Sequence, residues 1–150
     1  MTPYSNIYAR FMRKITDYNL AELVQETAEE IIKGYLISSI AKYNNCEQDL
    51  NNRDDEVDTF NITLTEKEEE ILSINMVVEW LNPKILTDEN IKLLITNKNW
   101  QTYSPGNLLK ELQNVRKTFK SEVNNLINAY ISTVERIRVL RRKLDIIIWI

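Results

Sequence analysis

Apolar residues recur at steps of three and four along most of this chain, the spacing of one helix face, and polar breaks divide them into successive runs. Tyr4, Ile7, Tyr8, Phe11, Met12 and Ile15 form the first stripe, behind Thr2-Pro3, which has the form of a cap followed by Pro at the first helical position. A polar connector around Asp17 to Glu26 follows. Thr27 with Glu30 then has the form of a capping box ahead of Ala28, Ile31, Ile32, Tyr35, Leu36, Ser39, Ile40 and Tyr43. Gly34 inside that run costs about 1 kcal/mol relative to Ala, which suggests a close neighbour at that point. The clearest cap is Thr65 with Glu68, ahead of Ile71, Leu72, Ile74, Met76, Val78, Trp80 and Leu81. That helix is apolar on several sides, as a central helix must be, and should stop near Asn82-Pro83.

A short helix is expected from about Asp88 to Thr96, carrying Ile91, Leu94 and Ile95, with Trp100 and Tyr103 bracketing the turn into Ser104-Pro105. The last helix shows Leu108, Leu112, Val115, Phe119, Val123, Leu126, Tyr130, Val134, Ile137 and Leu144. If continuous to about Lys143, roughly 40 residues at 1.5 Å each span about 60 Å, about twice the width of a small domain. Part of it must then leave the body; a break near Asn124, Asn125 or Asn128 is the alternative.

Between the second and third helices, Asn44 to Thr63 breaks the pattern with Asn residues and the acidic run Asp54-Asp55-Glu56-Val57-Asp58. An EF-hand calcium loop needs alternating Asp or Asn, a central Gly and a terminal Glu, and this segment has no Gly. A solvated, mobile loop is expected, tacked to the body by Leu50, Val57, Phe60, Ile62 and Leu64.

Composition narrows the class. The 150 residues suit one domain, and only two Gly and three Pro favour long helices over a meander of short strands. The expected fold is all-α, a bundle of four to five helices with a long C-terminal helix and an extended C-terminal tail. The chain has no His and a single Cys, Cys46, which removes the usual general base, a zinc site and any internal disulfide. Gly34 and Gly106 stand alone, so no phosphate-cradling loop can be assembled, and no run approaches the apolar length of a membrane helix. The start, Met1-Thr-Pro-Tyr-Ser, has no signal-peptide pattern, which points to synthesis in the cytoplasm. Paired carboxylates such as Glu66 with Glu69 are explained by acidic helix starts. No enzyme, cofactor or metal is expected.

Charge is asymmetric. Residues 1–130 carry 14 Lys and Arg against 20 Asp and Glu, net −6, whereas 131–150 carry 5 against 2, net +3. The cluster Arg136, Arg138, Arg141, Arg142 and Lys143 suits a polar, directional contact with a partner, although a solvated helix end favours the same charges. Its cations surround the helix rather than line one groove-facing stripe, which argues against duplex readout. Beyond it, Ile146, Ile147, Ile148, Trp149 and Ile150 prefer an extended strand, and strand addition to a partner sheet is the favoured reading. A terminal helical turn folded back on its own core is the alternative. The division expected is a helical bundle at 1–135 and a docking arm at 136–150.

Four stretches carry a resemblance: Pro3-Tyr-Ser-Asn-Ile-Tyr-Ala-Arg-Phe-Met-Arg-Lys-Ile-Thr-Asp-Tyr18, Gly34-Tyr-Leu-Ile-Ser-Ser-Ile-Ala-Lys-Tyr43, Leu64-Thr-Glu-Lys-Glu-Glu-Glu-Ile-Leu72 with Met76-Val-Val-Glu-Trp-Leu-Asn-Pro-Lys84, and Tyr103-Ser-Pro-Gly-Asn-Leu-Leu-Lys-Glu-Leu112. They resemble small proteins encoded among the morphogenesis genes of tailed phages and prophages of Gram-positive bacteria, over about residues 3 to 130. Such proteins are similar in size and helical make-up to head-tail connector adaptors. The resemblance implies a virion structural protein of the neck, in a homo-oligomeric ring, often dodecameric, beneath the portal protein and above a head-closure, stopper or tail-completion protein. It implies that genome DNA passes through the lumen without specific binding, and that no membrane is involved. It also implies that the arm docks in the portal, with Arg138, Arg141 and Arg142 facing acidic groups and Ile146, Ile147, Ile148 and Trp149 supplying a strand or plug. The arm itself runs beyond the resembling region, so its role there rests on its chemistry. A DNA-binding or regulatory helical protein using the basic arm, and a phage assembly chaperone, are the alternatives.

Overall fold

The computed structural model describes residues 1–15, 20, 23–86 and 105–148, with the side chains of 105–106 and 143–148 excepted. The expected helix at Asp88 to Thr96, with Trp100 and Tyr103, lies outside the described residues, as does part of the connector before residue 23. What is described is largely helical: α1 (Tyr4–Met12), α2 (Gln25–Lys42), α3 (Glu66–Leu86) and α4 (Pro105–Ile148). Three two-residue strands, β1 (Thr2–Pro3), β2 (Arg53–Asp54) and β3 (Thr59–Phe60), form an antiparallel sheet in the order β1-β3-β2.

The sheet corrects the expected role of Thr2 and Pro3. They pair with Phe60 and Thr59 instead of opening the helix, and the buried Thr2 hydroxyl accepts the Leu64 N–H at 2.8 Å. Pro3 sits at the N-cap with ψ 146°, and the Tyr4 N–H goes to the Asp58 carbonyl at 2.8 Å. Pro is compatible with an edge strand because it has no N–H to leave unpaired. The segment expected as a solvated loop is thus a short hairpin, strapped across the chain start. Its turn depends on Asp58, held at φ 52°, a conformation Asp tolerates, and on Asp54 Oδ1 accepting the Glu56 N–H at 2.9 Å. Leu50, Phe60 and Leu64 are buried as anticipated, while Val57 is 66% exposed.

The core gathers around α3. Ile71, Leu72, Ile74, Met76, Val77 and Leu81 are almost fully buried on it, which is why its apolar residues occupy several sides. Against it α1 contributes Tyr4, Ile7 and Phe11, each fully buried and together the stripe read from the sequence; Met12 points outward. Tyr4 packs on Phe60 with ring centroids 4.9 Å apart, and burying an aromatic of this size contributes about 2 to 3 kcal/mol. Salt bridges from Arg10 to Glu69 (2.9 Å) and from Lys14 to Glu70 (2.8 Å) fix the α1–α3 register.

On α2, Ile32, Leu36, Ser39 and Ile40 face the core, with Tyr43 buried just past its end. The helix opens at Gln25, so Thr27 and Glu30 lie within it and make no capping box; the N-cap residue is Val24. Gly34 also departs from expectation, because a Cβ built there meets nothing within 4 Å. α3 passes through Pro83 to Leu86 instead of stopping before it. Pro83 costs one backbone hydrogen bond, but Leu81 and Ile85, buried on either side of it, hold both flanks of the helix against the core.

Candidate interaction surface

α4 is a single helix of 44 residues, about 66 Å long, with no break at Asn124, Asn125 or Asn128. Its start at Pro105 agrees with a first-position Pro. It runs antiparallel to α3: Arg116 Nη1 donates to Asn82 Oδ1 (3.1 Å) near one end of α3, and Tyr130 meets Glu68 near the other. From Phe119 to Val134, Phe119, Leu126, Ile127, Ile131 and Val134 pack on the core, with Val123 and Tyr130 buried.

The second contact is a buried polar latch. Glu68, only 1% exposed, closes the anticipated capping box, accepting the Thr65 N–H at 2.7 Å and the Thr65 hydroxyl at 2.9 Å on Oε2. Its other oxygen accepts the Tyr130 hydroxyl at 2.6 Å and the Cys46 thiol at 3.3 Å. The Tyr130 oxygen in turn accepts the Glu47 N–H at 3.1 Å, and the Tyr130 ring packs edge-on against Tyr43. Burial, then the bond to Glu68, pushes the Tyr130 hydroxyl above its ordinary range, so it remains a donor. Burial and the neighbouring Glu68 charge push the Cys46 thiol up to about 12, which makes it a poor nucleophile. The latch therefore joins loop, central helix and long helix, and its chemistry is structural.

After Val134 the helix continues, and among the described residues none beyond it packs on the core. Ile137 is 47%, Val139 51% and Leu140 59% exposed, and Arg136, Arg138, Arg141 and Arg142 are exposed among them. Among the described residues the arm's one ion pair to the body is Arg138 to Glu47, 3.5 Å and exposed on both sides. The site residues expected from the sequence are thus brought together as one projecting helical segment as far as Arg142. Lys143, Ile146, Ile147 and Ile148 lie within the helix, their side chains outside the described residues, as are Trp149 and Ile150 entirely. An extended segment from Asp145 is not what forms: the backbone stays helical through Ile148, because elongating a long helix adds one hydrogen bond per residue and strand propensity is a weak preference.

The sequence reading placed Ile137, Val139 and Leu140 within the arm at 136–150 without naming them as contact residues. The signal was available, since five cations within eight positions leave no stretch able to bury. A groove of about 330 Å³ between α1, α3 and α4 is lined by Arg10, Glu66, Lys67, Glu70, Ile71 and Leu126 among others, and Arg10 and Glu70 there are already ion-paired. Among the described residues no group of three or more Cys, Asp and Glu is placed to hold a metal, and no helix is long and apolar enough to cross a membrane.

No family model matches this chain, and no curated protein or solved structure matches it either.

Proposed function

We propose that this protein is a non-catalytic structural subunit of a phage neck, a connector adaptor that forms a ring under the portal and docks through its C-terminal arm. The observation that carries the reading is the division of α4. One half is built into the core and latched by Tyr130 to Glu68, and the other projects with exposed Ile137, Val139 and Leu140 between Arg136, Arg138, Arg141 and Arg142. A rigid helix fixed at its base and projecting apolar and cationic groups is suited to bind acidic, partly apolar surfaces of neighbouring chains and to carry its C-terminal end into a socket beyond them. The resemblance of residues 3 to 130 to phage morphogenesis proteins supports the portal protein as the owner of that socket, with a head-closure or stopper ring as the lower neighbour. Genome DNA would pass a lumen bordered by acidic bodies without specific binding. The protein would reside in the virion after synthesis in the host cytoplasm.

The test has two parts. Mass spectrometry of purified virions should find the chain in ring stoichiometry; its absence would favour an assembly chaperone. Deleting residues 136–150 should leave a folded, soluble body that no longer joins portal-bearing heads, and unchanged attachment would overturn the reading. The exposed arginines favour one rival, a DNA binder. That rival predicts a shift of duplex whose affinity falls steeply with salt.

A further inference from the structure

The arm and the body of this chain are complementary to each other. On the arm, Ile137 and Leu140 extend the stripe of Tyr130 and Val134 at steps of three and four, so the apolar face continues past the last residue packed on the core. Arg136, Arg141 and Arg142 flank that face and are exposed. On the body, Glu26, Glu29 and Glu30 are exposed on α2 at the spacing of one helix face, which continues to Lys33. The Lys33 ammonium holds the hairpin turn, bonding the Asp58 carboxylate at 2.6 Å and the Asp55 carbonyl. Helix stripe and turn therefore form one acidic surface. Arg53 and Lys33 neutralise Asp55 and Asp58, leaving Glu26, Glu30 and Glu56 without an ion-pair partner among the described residues. The exposed side chain of Val57 sits within that surface.

We infer that the proximal arm, from Arg136 to Arg142, packs against this acidic, Val57-bearing surface on a second copy of the chain. The charges are opposite in sign, net +3 on residues 131–150 against net −6 on 1–130, and each side offers exposed apolar atoms. An unbroken helix through Ile148 prevents the arm from folding back onto its own copy's surface. Because the two surfaces differ, the contact is heterologous, and repetition of it closes a ring or extends a filament. The inference deepens the proposed ring by naming what joins its subunits, and it leaves the distal residues beyond Leu144 for the portal.

The experiment is a charge-reversal exchange read by sedimentation velocity on the full chain. Wild-type protein should associate, and its mass should fall as salt is raised. Arg136→Glu with Arg141→Glu and Arg142→Glu should give a folded monomer, as should Glu26→Lys with Glu30→Lys and Glu56→Lys. Mixing the two variants should restore association, because each then offers the surface the other lacks. If a triple variant loses its helical circular dichroism, the single Arg141→Glu and Glu56→Lys variants carry the same mixing test. A wild-type chain that stays monomeric in low salt, variants that associate like wild type, or a mixture that stays monomeric would each overturn the inference. Deletion of residues 144–150 should abolish attachment to portal-bearing heads while self-association persists. Intact association together with unchanged attachment by this truncation would count against portal docking alone.

Discussion

The Tyr130 hydroxyl donates to Glu68 Oε1 at 2.6 Å across 62 residues of sequence, and this bond ties the long helix to the first turn of the central one. The carboxylate is buried, so its partners cannot be replaced by water without rearrangement, and a hydrogen bond to a charged group contributes about 1.5 to 3 kcal/mol. Tyr130→Phe should therefore lower unfolding stability by about 2 kcal/mol. Glu68→Ala should cost more, about 3 kcal/mol, because it also removes the cap on α3. Urea titrations of both singles and the Tyr130→Phe, Glu68→Ala double variant provide the check. A coupling near zero would show that the two side chains act independently.

The arm should be dispensable for folding. Among the described residues, packing against the core ends at Val134, and the ion pair beyond it, Arg138 to Glu47, is exposed and worth less than about 1 kcal/mol. A chain ending at Glu135 should unfold at a midpoint within the range that about 1 kcal/mol produces, a few degrees for a domain of this size. Calorimetry on the truncated and full-length proteins measures it. A much larger loss would mean that the distal arm packs on its own body.

Cys46 should be slow to react. With its thiol pushed up to about 12 by burial and by Glu68, the folded protein at pH 8 holds far less thiolate than an ordinary cysteine does. Reaction with a disulfide reagent should be slower than in urea by a factor on the order of a hundred or more. Protonated thiol is the form that folding favours, so this contribution is complete below the ordinary thiol range and is lost as pH rises toward about 12. Equal rates in buffer and in urea would show that the thiol is neither buried nor near the charge.

The helices were legible wherever spacing and burial agree. Tyr4, Ile7 and Phe11, and the run from Ile71 to Leu81, read directly from the three-and-four pattern, and Thr65 with Glu68 from its chemistry. The errors fall where a tertiary contact outweighs a local rule. Thr2-Pro3 resembles a helix start but is claimed by Phe60 and Thr59, and Pro83 resembles a stop but is overridden by the burial of Leu81 and Ile85. Thr27 and Glu30 match a capping pattern whose helix opens two residues earlier, at Gln25. Of the candidate surface, the cationic residues were legible because charge clusters cannot bury. The latch was not, since nothing local indicates that Tyr130, Cys46 and Glu68 converge.

Asp55 supplies a pH test of the hairpin. The Tyr4 hydroxyl donates to Asp55 Oδ1 at 2.6 Å, and this bond, followed by the Arg53 and Lys33 charges, holds the carboxyl below its ordinary 3.8. Tyr4 is pushed the other way, chiefly by burial and then by the same bond, so it remains protonated wherever Asp55 is charged. The unfolded chain takes up the Asp55 proton first, so the contribution to stability is complete above about pH 4 and falls away as pH drops through the folded value. Asp55→Asn should flatten that part of the stability profile on the acid side. Tyr4→Phe should return the Asp55 carboxyl toward its ordinary value, followed by its side-chain carbon shift in an NMR titration. An Asp55 titration unmoved by Tyr4→Phe would assign the depression to Arg53 and Lys33 instead, leaving the hydroxyl contact without electrostatic consequence.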